Sequence, residues 1–432
     1  RCFVMRITFL GGTGTVTGSK FLVETKATKV LVDCGLYQGY KWLRKRNREP
    51  LPFNVNELDA IVLTHAHLDH SGFIPALFSQ GFRGPVYTHE ATLSLCSILL
   101  PDSGHIQEDD AKFYKKHKIG RHKNPKPLYD EETAVACLSL FQPLVFNENV
   151  AIGDIEITLQ SAGHILGAAC IILQGDGKRI GFSGDVGRYD DILMYPPEPL
   201  PPLDLLLLES TYGNRAHEKV NPYEQLADIV NSTAKAGGTL LIPSFAVGRT
   251  EMIQHLLATL LKEGKIPNLP VYLDSPMAIN VLEIYLKHFE LNRLSKEQCQ
   301  EMARVATLTR SVDDSKALSE IKVPHIIIAG SGMATGGRIL HHMKELLGDY
   351  RTTVLFTGYL SGGTRGAKML AGNDTVKIHG QWLPVKANVE LLHGLSGHGD
   401  YNDLTRWLLS SQLDKSTQIR LVHGEPEASE AM

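Results

Sequence analysis

The chain has 432 residues, of which 43% are hydrophobic, and a formal net charge of −3 at neutral pH. This length and apolar content allow two domains with separate cores. The low net charge excludes binding to nucleic acid through the overall field, so any such contact needs a local patch. No apolar run approaches the roughly 20 residues of a membrane span, so we expect no membrane partner. The six cysteines are scattered, without C-x-x-C or a secretory leader, which indicates reduced thiols in a cytoplasmic protein.

Short strand-like runs separated by glycine-rich turns occupy the first half of the chain. They are "MRITFLGG", "KFLVET", "KVLVDCG", "AIVLT", "IEITLQSAGH", "AACIILQG" and "RIGFSGD". Runs that are rich in Val, Ile and Leu and end at Gly predict strands of a largely buried sheet. Polar residues follow several of these runs directly, and loops at strand ends are where functional side chains gather.

A basic stretch interrupts this part of the chain. The segment "KFYKKHKIGRHKNPK", residues 112–126, contains seven Lys or Arg and no acid. A charge run of this kind predicts an exposed helix face that leads into a proline-containing loop. The alternative is a surface that binds phosphate, which applies only if the neighbouring site acts on nucleic acid.

Strand, loop and helix alternate after the proline-rich segment 195–204. The repeated units are "GTLLIPSFAVGRTEMIQHLLATLLKEG", "PVYLDSPMAINVLEIYLKHF", "PHIIIAGSGMATGGRILHHMKELL" and "TTVLFTGYLSGGTRGAKMLAG". This alternation predicts a parallel, doubly wound sheet. Strand-like runs return in "VELLHGLSGHGD" and "IRLVHGE", close to the end of the sequence.

The segment "THAHLDH", residues 64–70, has the residue types of a zinc site. His65 and His67 lie two apart on an extended chain, so both imidazoles face the same side and suit one ion. Asp69 and His70 fall on the turn into a predicted helix and suit a neighbouring ion. Chance clustering is the alternative in a chain with 18 histidines. It becomes improbable because further acids and histidines end other strand-like runs: Asp33, His164, Asp185, His398 and His423.

Seven candidate ligands are too many for one ion. They are sufficient for two zinc ions if both ions share Asp185, because a carboxylate can bind one metal with each oxygen. We assign to one ion His65, His67, His164 and Asp185. We assign to the other Asp69, His70, Asp185 and His423.

These motifs carry a family resemblance. "THAHLDH", together with Asp33, "AGH" ending at His164 and "SGD" ending at Asp185, resembles the metallo-β-lactamase fold. Three later segments, "LLLLESTYG", "LSGHGD" and "LVHGE", resemble motifs A, B and C of its β-CASP branch, which processes nucleic acid. They contain Glu209, His398 and His423 respectively, and the resemblance covers nearly the whole chain.

The resemblance implies an α/β protein, a metallo-β-lactamase αββα sandwich with an inserted parallel α/β β-CASP domain. We expect the sandwich in residues 1–205 and 391–432 and the inserted domain in residues 206–390. The chain is similar to stand-alone prokaryotic relatives of the pre-mRNA 3′-end cleavage endonuclease. Relative to them the last segment is short, and Arg1 replaces an initiator Met, so we expect a partial sequence.

Histidine at motif C, here His423, resembles the RNA-directed members of the branch. The implied function is zinc-dependent hydrolysis of single-stranded RNA by a two-metal hydroxide mechanism, endonucleolytic and with 5′-exonuclease action as an option. Asp69 and Asp185 are expected to be catalytic because they would bind the metal ions that carry out the reaction. His398 is the expected general acid for the leaving oxygen, since histidine titrates near working pH. The resemblance also implies that a homodimer is an option.

Three further residue roles have simpler alternatives. Asp33 is expected to orient a ligating imidazole, although a turn carboxylate at a strand end is the alternative. Glu209 is expected to hold the tautomer of His398, with capping of the turn "STYG" as the alternative. Arg249, Ser331 and Gly332 are expected to bind substrate phosphate; for the glycine-rich segment the alternative is a tight strand-to-helix connection.

Rival functions use fewer of these features. A small-molecule metallo-hydrolase, of thioesterase or lactonase type, would explain the histidines but not the inserted domain or His398. A dinucleotide-binding oxidoreductase is disfavoured because "GSGMATGG" lacks the G-x-G-x-x-G spacing. An RNA-binding scaffold is disfavoured because the chain keeps all seven candidate ligands.

Overall fold

The computed structural model of the chain describes residues 5–116, 126–358, 360 and 363–432. It divides into two compact units. Unit 1 consists of Arg1–Asp190, Met194–Ala216 and His398–Met432. Unit 2 consists of Asp191–Leu193 and His217–Gly397.

The strands of the described residues are numbered in chain order. They are β1 (Arg6–Gly11), β2 (Lys20–Glu24), β3 (Lys29–Val32), β4 (Ala60–Val62), β5 (Val86–His89), β6 (Phe141–Leu144), β7 (Asn149–Ile152), β8 (Ile155–Ser161), β9 (Ala169–Gly175), β10 (Lys178–Phe182), β11 (Leu205–Glu209), β12 (Thr239–Pro243), β13 (Val271–Asp274), β14 (Thr307–Leu308), β15 (His325–Ala329), β16 (Thr353–Phe356), β17 (Thr375–Ile378), β18 (Gln381–Pro384), β19 (Asn388–Leu391) and β20 (Gln418–Val422).

The α-helices are numbered in the same way. They are α1 (Lys41–Arg46), α2 (Leu68–Ser71), α3 (Ile74–Ser79), α4 (Glu90–Lys116), α5 (Glu131–Cys137), α6 (Pro222–Lys235), α7 (Arg249–Lys262), α8 (Pro276–Lys287), α9 (Lys296–Arg304), α10 (Val312–Ala317), α11 (Ile339–Leu346), α12 (Arg365–Leu370), α13 (Tyr401–Ser410) and α14 (Pro426–Ala431). Short 3-10 helices lie at Val55–Glu57, Leu138–Leu140, Phe289–Leu291 and Leu318–Glu320.

Unit 1 contains two six-stranded sheets, in the orders β1-β2-β3-β4-β5-β6 and β20-β11-β10-β9-β8-β7. Its main core lies between them, since buried Val, Ile, Leu and Phe side chains of both sheets form one cluster. Helix α4 packs against β5 and β6 of the first sheet. On the second sheet, Leu404 and Trp407 of α13 are fully buried in a separate cluster. Helices therefore cover two stacked sheets, which confirms the predicted αββα sandwich.

Unit 2 is built on a six-stranded sheet with the order β14-β13-β15-β12-β16-β19. All of its neighbouring strands are parallel. The central strands are continuous apolar runs, such as the buried Ile326, Ile327 and Ile328 of β15, because a parallel sheet is covered on both faces. A separate hairpin pairs β17 with β18. The parallel α/β architecture expected for the inserted domain is confirmed.

The edges of the units differ from the bounds expected from the sequence. Strand β11, expected in part within the inserted domain, pairs in parallel with β10 and β20 in the second sheet of unit 1. Its apolar residues enter that sheet, so the main segment of unit 2 begins only at His217. At the other end, β19 completes the sheet of unit 2, which extends to Gly397.

Other sequence expectations concern surface and redox state. The cysteines of the described residues are buried and free: Cys34, Cys96, Cys137, Cys170 and Cys299. Within the described chain, no helix is both long and apolar enough to cross a bilayer. The basic stretch begins on the exposed end of α4, at Lys112, Lys115 and Lys116, as predicted. Its residues 117–125, and Cys2, lie outside the described residues.

Candidate metal centre

The predicted zinc ligands follow strands whose carboxyl ends lie at one edge of the sandwich in unit 1. In the first sheet β3 and β4 are parallel. In the second sheet β10, β11 and β20 are parallel, and β8 has the same direction because both β8 and β10 are antiparallel to β9. Side chains far apart in sequence therefore meet: the Nε2 atoms of His70 and His423, 353 positions apart, are 3.1 Å apart.

The first cluster contains the side chains assigned to one ion: His65, His67, His164 and Asp185. His67 Nδ1 lies 3.1 Å from His65 Nε2 and 3.2 Å from His164 Nε2. Asp185 Oδ2 lies 3.4 Å from His65 Nε2 and 3.6 Å from His164 Nε2. The four donor atoms point at a common volume.

The second cluster contains the other predicted ligands, Asp69, His70 and His423. Asp69 Oδ2 lies 3.3 Å from His423 Nε2 and 3.7 Å from His70 Nε2. Both Asp69 and His70 belong to the short helix α2, as the predicted helix start implied. His423 directly follows β20, where its backbone has a φ of 49°.

Asp185 lies between the two clusters. Its Oδ2 faces the first cluster, whereas its Oδ1 lies 3.2 Å from His70 Nε2 in the second. The residue is 2% exposed, and a second ring nitrogen of that cluster, His423 Nδ1, lies 3.5 Å from Oδ1. A buried carboxylate is costly unless positive charge compensates it.

The spacing of the donor atoms fits zinc. Two ligands about 2.0 to 2.1 Å from a tetrahedral ion are separated by about 3.3 Å. The separations in the first cluster, 3.1 to 3.6 Å, bracket this distance. Imidazole nitrogen and carboxylate oxygen are also the donors that zinc prefers, while magnesium favours oxygen alone.

The electrostatics of the clusters also suit cations. Burial lowers the pKa of His65, His67 and His164, that of His67 to about 3, so these imidazoles keep a free lone pair at neutral pH. Burial also lowers the pKa of His70, but Asp185, Asp33 and Asp69 outweigh it and raise this pKa well above its ordinary value. The second cluster therefore carries excess negative charge.

Asp33 contacts one ligand of the second cluster directly and one ligand of the first cluster through Thr64. Its Oδ2 accepts a hydrogen bond from His70 Nδ1 at 2.7 Å and one from the Thr64 hydroxyl at 3.0 Å. Because that hydroxyl proton is used on Asp33, His65 Nδ1 donates to Thr64 Oγ1, at 3.0 Å. Asp33 and Thr64 thus hold the Nε2 atoms of His65 and His70 toward the clusters. Thr64 could not be identified from the sequence, since threonine carries no metal-ligand signal.

Replacing Thr64 with Val should weaken zinc binding about 10- to 100-fold, the usual effect of losing a partner of a ligating histidine. Valine keeps the shape of threonine but cannot accept the proton of His65 Nδ1. The measurement is zinc retained against a competing chelator. Thr88→Val is the matched control, because Thr88 is equally buried but donates to the carbonyl of Leu63. Equal retention by both variants would contradict the role of Thr64.

His423 has a similar partner that the sequence did not reveal. Thr211 donates its hydroxyl proton to the His423 carbonyl at 3.2 Å, so its Oγ1 accepts from His423 Nδ1 at 3.1 Å. This bond directs His423 Nε2 to Asp69 and His70. Thr211 lies two residues after Glu209, where β11 and β20 run side by side.

His398 and Glu209 form a pair beside the clusters. His398 Nδ1 lies 3.1 Å from each carboxylate oxygen of Glu209, and His398 Nε2 lies 3.7 Å from Asp185 Oδ2. Burial lowers the pKa of His398, but the charges of Glu209 and Asp185 outweigh it and raise it to about 9. Glu209 is fully buried, whereas the His398 side chain is 20% exposed to solvent.

The residues predicted to bind phosphate lie in unit 2, at the carboxyl edge of its sheet. Arg249 begins α7 after β12, and Ser331 follows β15, the neighbour of β12. Ser331 Oγ already accepts hydrogen bonds from the backbone N–H of Thr335 and Gly336, at 3.0 and 3.2 Å. A Cβ on Gly332 would lie 2.6 Å from the Phe245 ring. These contacts hold the segment between β15 and α11 and pack it against Phe245, and phosphate binding by Ser331 and Gly332 stays a prediction.

Comparison with known proteins identifies the family to which the chain belongs. A model of the Beta-lactamase superfamily domain matches residues 28–242 and one of the Beta-Casp domain matches residues 250–369. A model of the Zn-dependent metallo-hydrolase RNA specificity domain matches residues 382–432. Ribonuclease TTHA0252 of Thermus thermophilus is 38% identical over 98% of this chain and 94% of its own length. The chain belongs to the β-CASP branch of the metallo-β-lactamase superfamily.

Further relatives extend this comparison. Transcription termination factor FttA of Methanocaldococcus jannaschii is 32% identical to this β-CASP protein over 98% of its chain and 67% of the relative. A solved structure of a protein of unknown function from Enterococcus faecalis V583 matches it with a TM-score of 0.54 and 14% identity. That match covers 99% of this chain and 95% of the other, and it supports the fold alone.

Proposed function

We propose that the chain is a zinc-dependent ribonuclease that hydrolyses phosphodiester bonds of single-stranded RNA at a centre of two zinc ions. One observation carries the proposal: the buried carboxylate of Asp185 faces a separate cluster of imidazoles with each of its oxygens. The matched family is a zinc-dependent metallo-hydrolase family, and a relative that spans almost the same length is named a ribonuclease.

The proposed roles follow from the contacts. Two zinc ions, when bound, supply a nucleophile at neutral pH and positive charge for the phosphoryl oxygens. The first cluster would hold one ion, and Asp69, His70 and His423 would hold the other with Asp185. The Asp33–Thr64 network would keep the ligands in place. No residue outside unit 1 is needed for this centre.

His398 would deliver a proton to the leaving oxygen of the RNA. The charge of Glu209 keeps its imidazole protonated, and the bond to Nδ1 directs Nε2 toward the clusters. A group that is protonated at working pH and partly exposed suits a general acid. Since Glu209 also accepts from the backbone N–H of Val186 at 2.6 Å, it is held in one orientation.

Two parts of the proposal concern substrate and assembly. Arg249 would bind a phosphate of the RNA through its guanidinium. In the segment Ser331–Gly332 the backbone N–H of Gly332 would serve a phosphate, since the N–H of Ser331 donates to the Gly336 carbonyl at 3.3 Å. A homodimer is a further option. The match of residues 382–432 to an RNA specificity domain favours RNA over a thioester or lactone.

The test is cleavage of single-stranded RNAs labelled at either end, with 5′-phosphate or 5′-hydroxyl termini. We expect internal fragments, which mark an endonuclease; single nucleotides from the 5′ end would mark added exonuclease action. Removal of zinc with a chelator should abolish cleavage, and added zinc should restore it. Protein that holds two zinc equivalents but cleaves no RNA, or that hydrolyses a thioester faster, would overturn the proposal.

A further inference from the structure

Helix α1 presents two large aromatic side chains to solvent among several cations. Tyr40, which precedes the helix, and Trp42 are each 61% exposed. The helix is anchored by Leu43, which is 3% exposed. We call the α1 surface the exposed set Tyr40, Lys41, Trp42, Arg44, Lys45 and Arg48.

The α1 surface is held firmly to the fold. The side chain of Asn47 accepts a hydrogen bond from the backbone N–H of Tyr37 and donates one to its carbonyl, both at 2.8 Å. The guanidinium of Arg46 lies 4.4 Å from the centre of the Tyr37 ring. Because the α1 surface is already ordered in the folded chain, a ligand that binds it loses little free energy to the ordering of side chains.

Helix α4 and the described segment that begins at Lys126 both lie beside this surface. Arg48 donates a hydrogen bond to the carbonyl of Lys126 at 2.6 Å. Burial raises the pKa of the Asp110 carboxyl on α4, and the nearby Arg44 guanidinium opposes that shift. One turn further along α4, Phe113 and Tyr114 are 53% and 41% exposed and are flanked by lysines. Aromatic rings and cations thus continue beyond α1.

An isolated exposed aromatic residue or a charged helix face is ordinary on a protein surface. The α1 surface differs because two exposed rings and four exposed cations lie within nine residues, 40–48. Rings stack with the face of any base, and neighbouring cations bind the phosphates between bases, which is how proteins bind single strands without sequence preference. An acidic protein partner would match the cations but would leave the exposed rings unexplained.

The α1 surface follows shortly after a residue of the metal centre in the sequence, so the two lie within a limited distance of each other. Tyr40 lies seven residues after Asp33, which binds His70. Seven residues span at most about 25 Å, so one RNA strand of several nucleotides reaches both.

We infer that the α1 surface binds single-stranded RNA outside the metal centre, with bases stacked on Tyr40 and Trp42 and phosphates bound by Lys41, Arg44 and Lys45. The inference rests on the proposed function, because it assigns a second contact to the same substrate.

The test compares Trp42→Ala and the double variant Lys41→Glu with Lys45→Glu against the unaltered chain. The probe is a fluorescent single-stranded RNA of about 20 nucleotides, and anisotropy gives Kd at several salt concentrations. Loss of one stacked ring should raise Kd about 5-fold or more. Reversal of two charges should reduce the slope of log Kd against log salt by about 1.4, since each of the two phosphate contacts on a single strand contributes about 0.7.

Matched controls separate this surface from general effects. Tyr350→Ala removes a ring that is 75% exposed in unit 2, and Lys26→Glu with Lys235→Glu reverses two exposed charges elsewhere. Both controls should bind RNA like the unaltered chain. Hydrolysis of bis(p-nitrophenyl) phosphate reports whether each variant keeps its fold and metal centre.

The outcomes distinguish the two proposals. If the chain cleaves RNA but the α1 variants bind it with unaltered Kd and salt slope, the inference is wrong and the proposed function stands. If the unaltered chain binds RNA through this surface but cleaves none, the proposed function fails instead. Equal losses in the control variants would also overturn the inference.

Discussion

Asp185→Asn should lower kcat/KM for RNA by at least about 10³-fold and should reduce the zinc content of the purified protein. Asparagine keeps the volume of the side chain but removes the negative charge and leaves one oxygen to serve as a ligand. Because Oδ2 and Oδ1 face different clusters, the change affects both proposed ions. Metal ions contribute several kcal/mol to the transition state, and each 1.4 kcal/mol is tenfold in rate.

The measurements for Asp185 are steady-state cleavage of a short RNA and zinc content by mass spectrometry. Asp176→Asn is the matched control: Asp176 lies in the exposed turn after β9, where asparagine tolerates the same backbone conformation. The control should keep activity and zinc. Retention of two zinc equivalents and full turnover by Asp185→Asn would contradict a bridging role.

His398→Ala should lower kcat for RNA about 10² to 10⁴-fold while the zinc content stays unchanged. This is the usual contribution of a general acid, and the side chain is paired with Glu209 and outside both ligand clusters. The decisive comparison uses bis(p-nitrophenyl) phosphate, whose leaving group departs without protonation. The loss of turnover should be far smaller with this substrate than with RNA.

His105→Ala is the control for this variant, since His105 is 54% exposed on α4 of the same unit. It should keep turnover on both substrates. Equal losses of the His398 variant on RNA and on bis(p-nitrophenyl) phosphate would exclude a role in protonating the leaving group. Loss of zinc would make His398 a ligand instead.

Much of the fold was predictable because its elements have simple patterns. Apolar runs such as Leu205–Leu208 form strands in either unit, and the alternation of strand and helix specified a parallel sheet in unit 2. The edges of the units were less predictable. Strand β11 opens the segment that resembles motif A, yet it joins β10 and β20, and pairing partners distant in sequence leave no local signal.

Some side chains of the site could be identified from the sequence, and others became apparent only in the folded structure. Histidines and acids at strand ends were recognisable by type, and the structure brings them into two clusters as assigned. Thr64 and Thr211 were not recognisable, because a hydroxyl becomes a partner of an imidazole only where the fold places it. The exposure of Trp42 is likewise a property of the folded surface.

The sequence by itself determined the donor types available to this protein: the imidazoles and carboxylates that we propose as zinc ligands, the histidine that we propose as proton donor, and the strands that carry them. Only the tertiary structure decided the geometry. It turned the two oxygens of Asp185 toward different clusters and placed Asp33 against His70 and against Thr64, the partner of His65. The physical reason is that donor type is a property of one residue, whereas distances between donors depend on how two sheets pack.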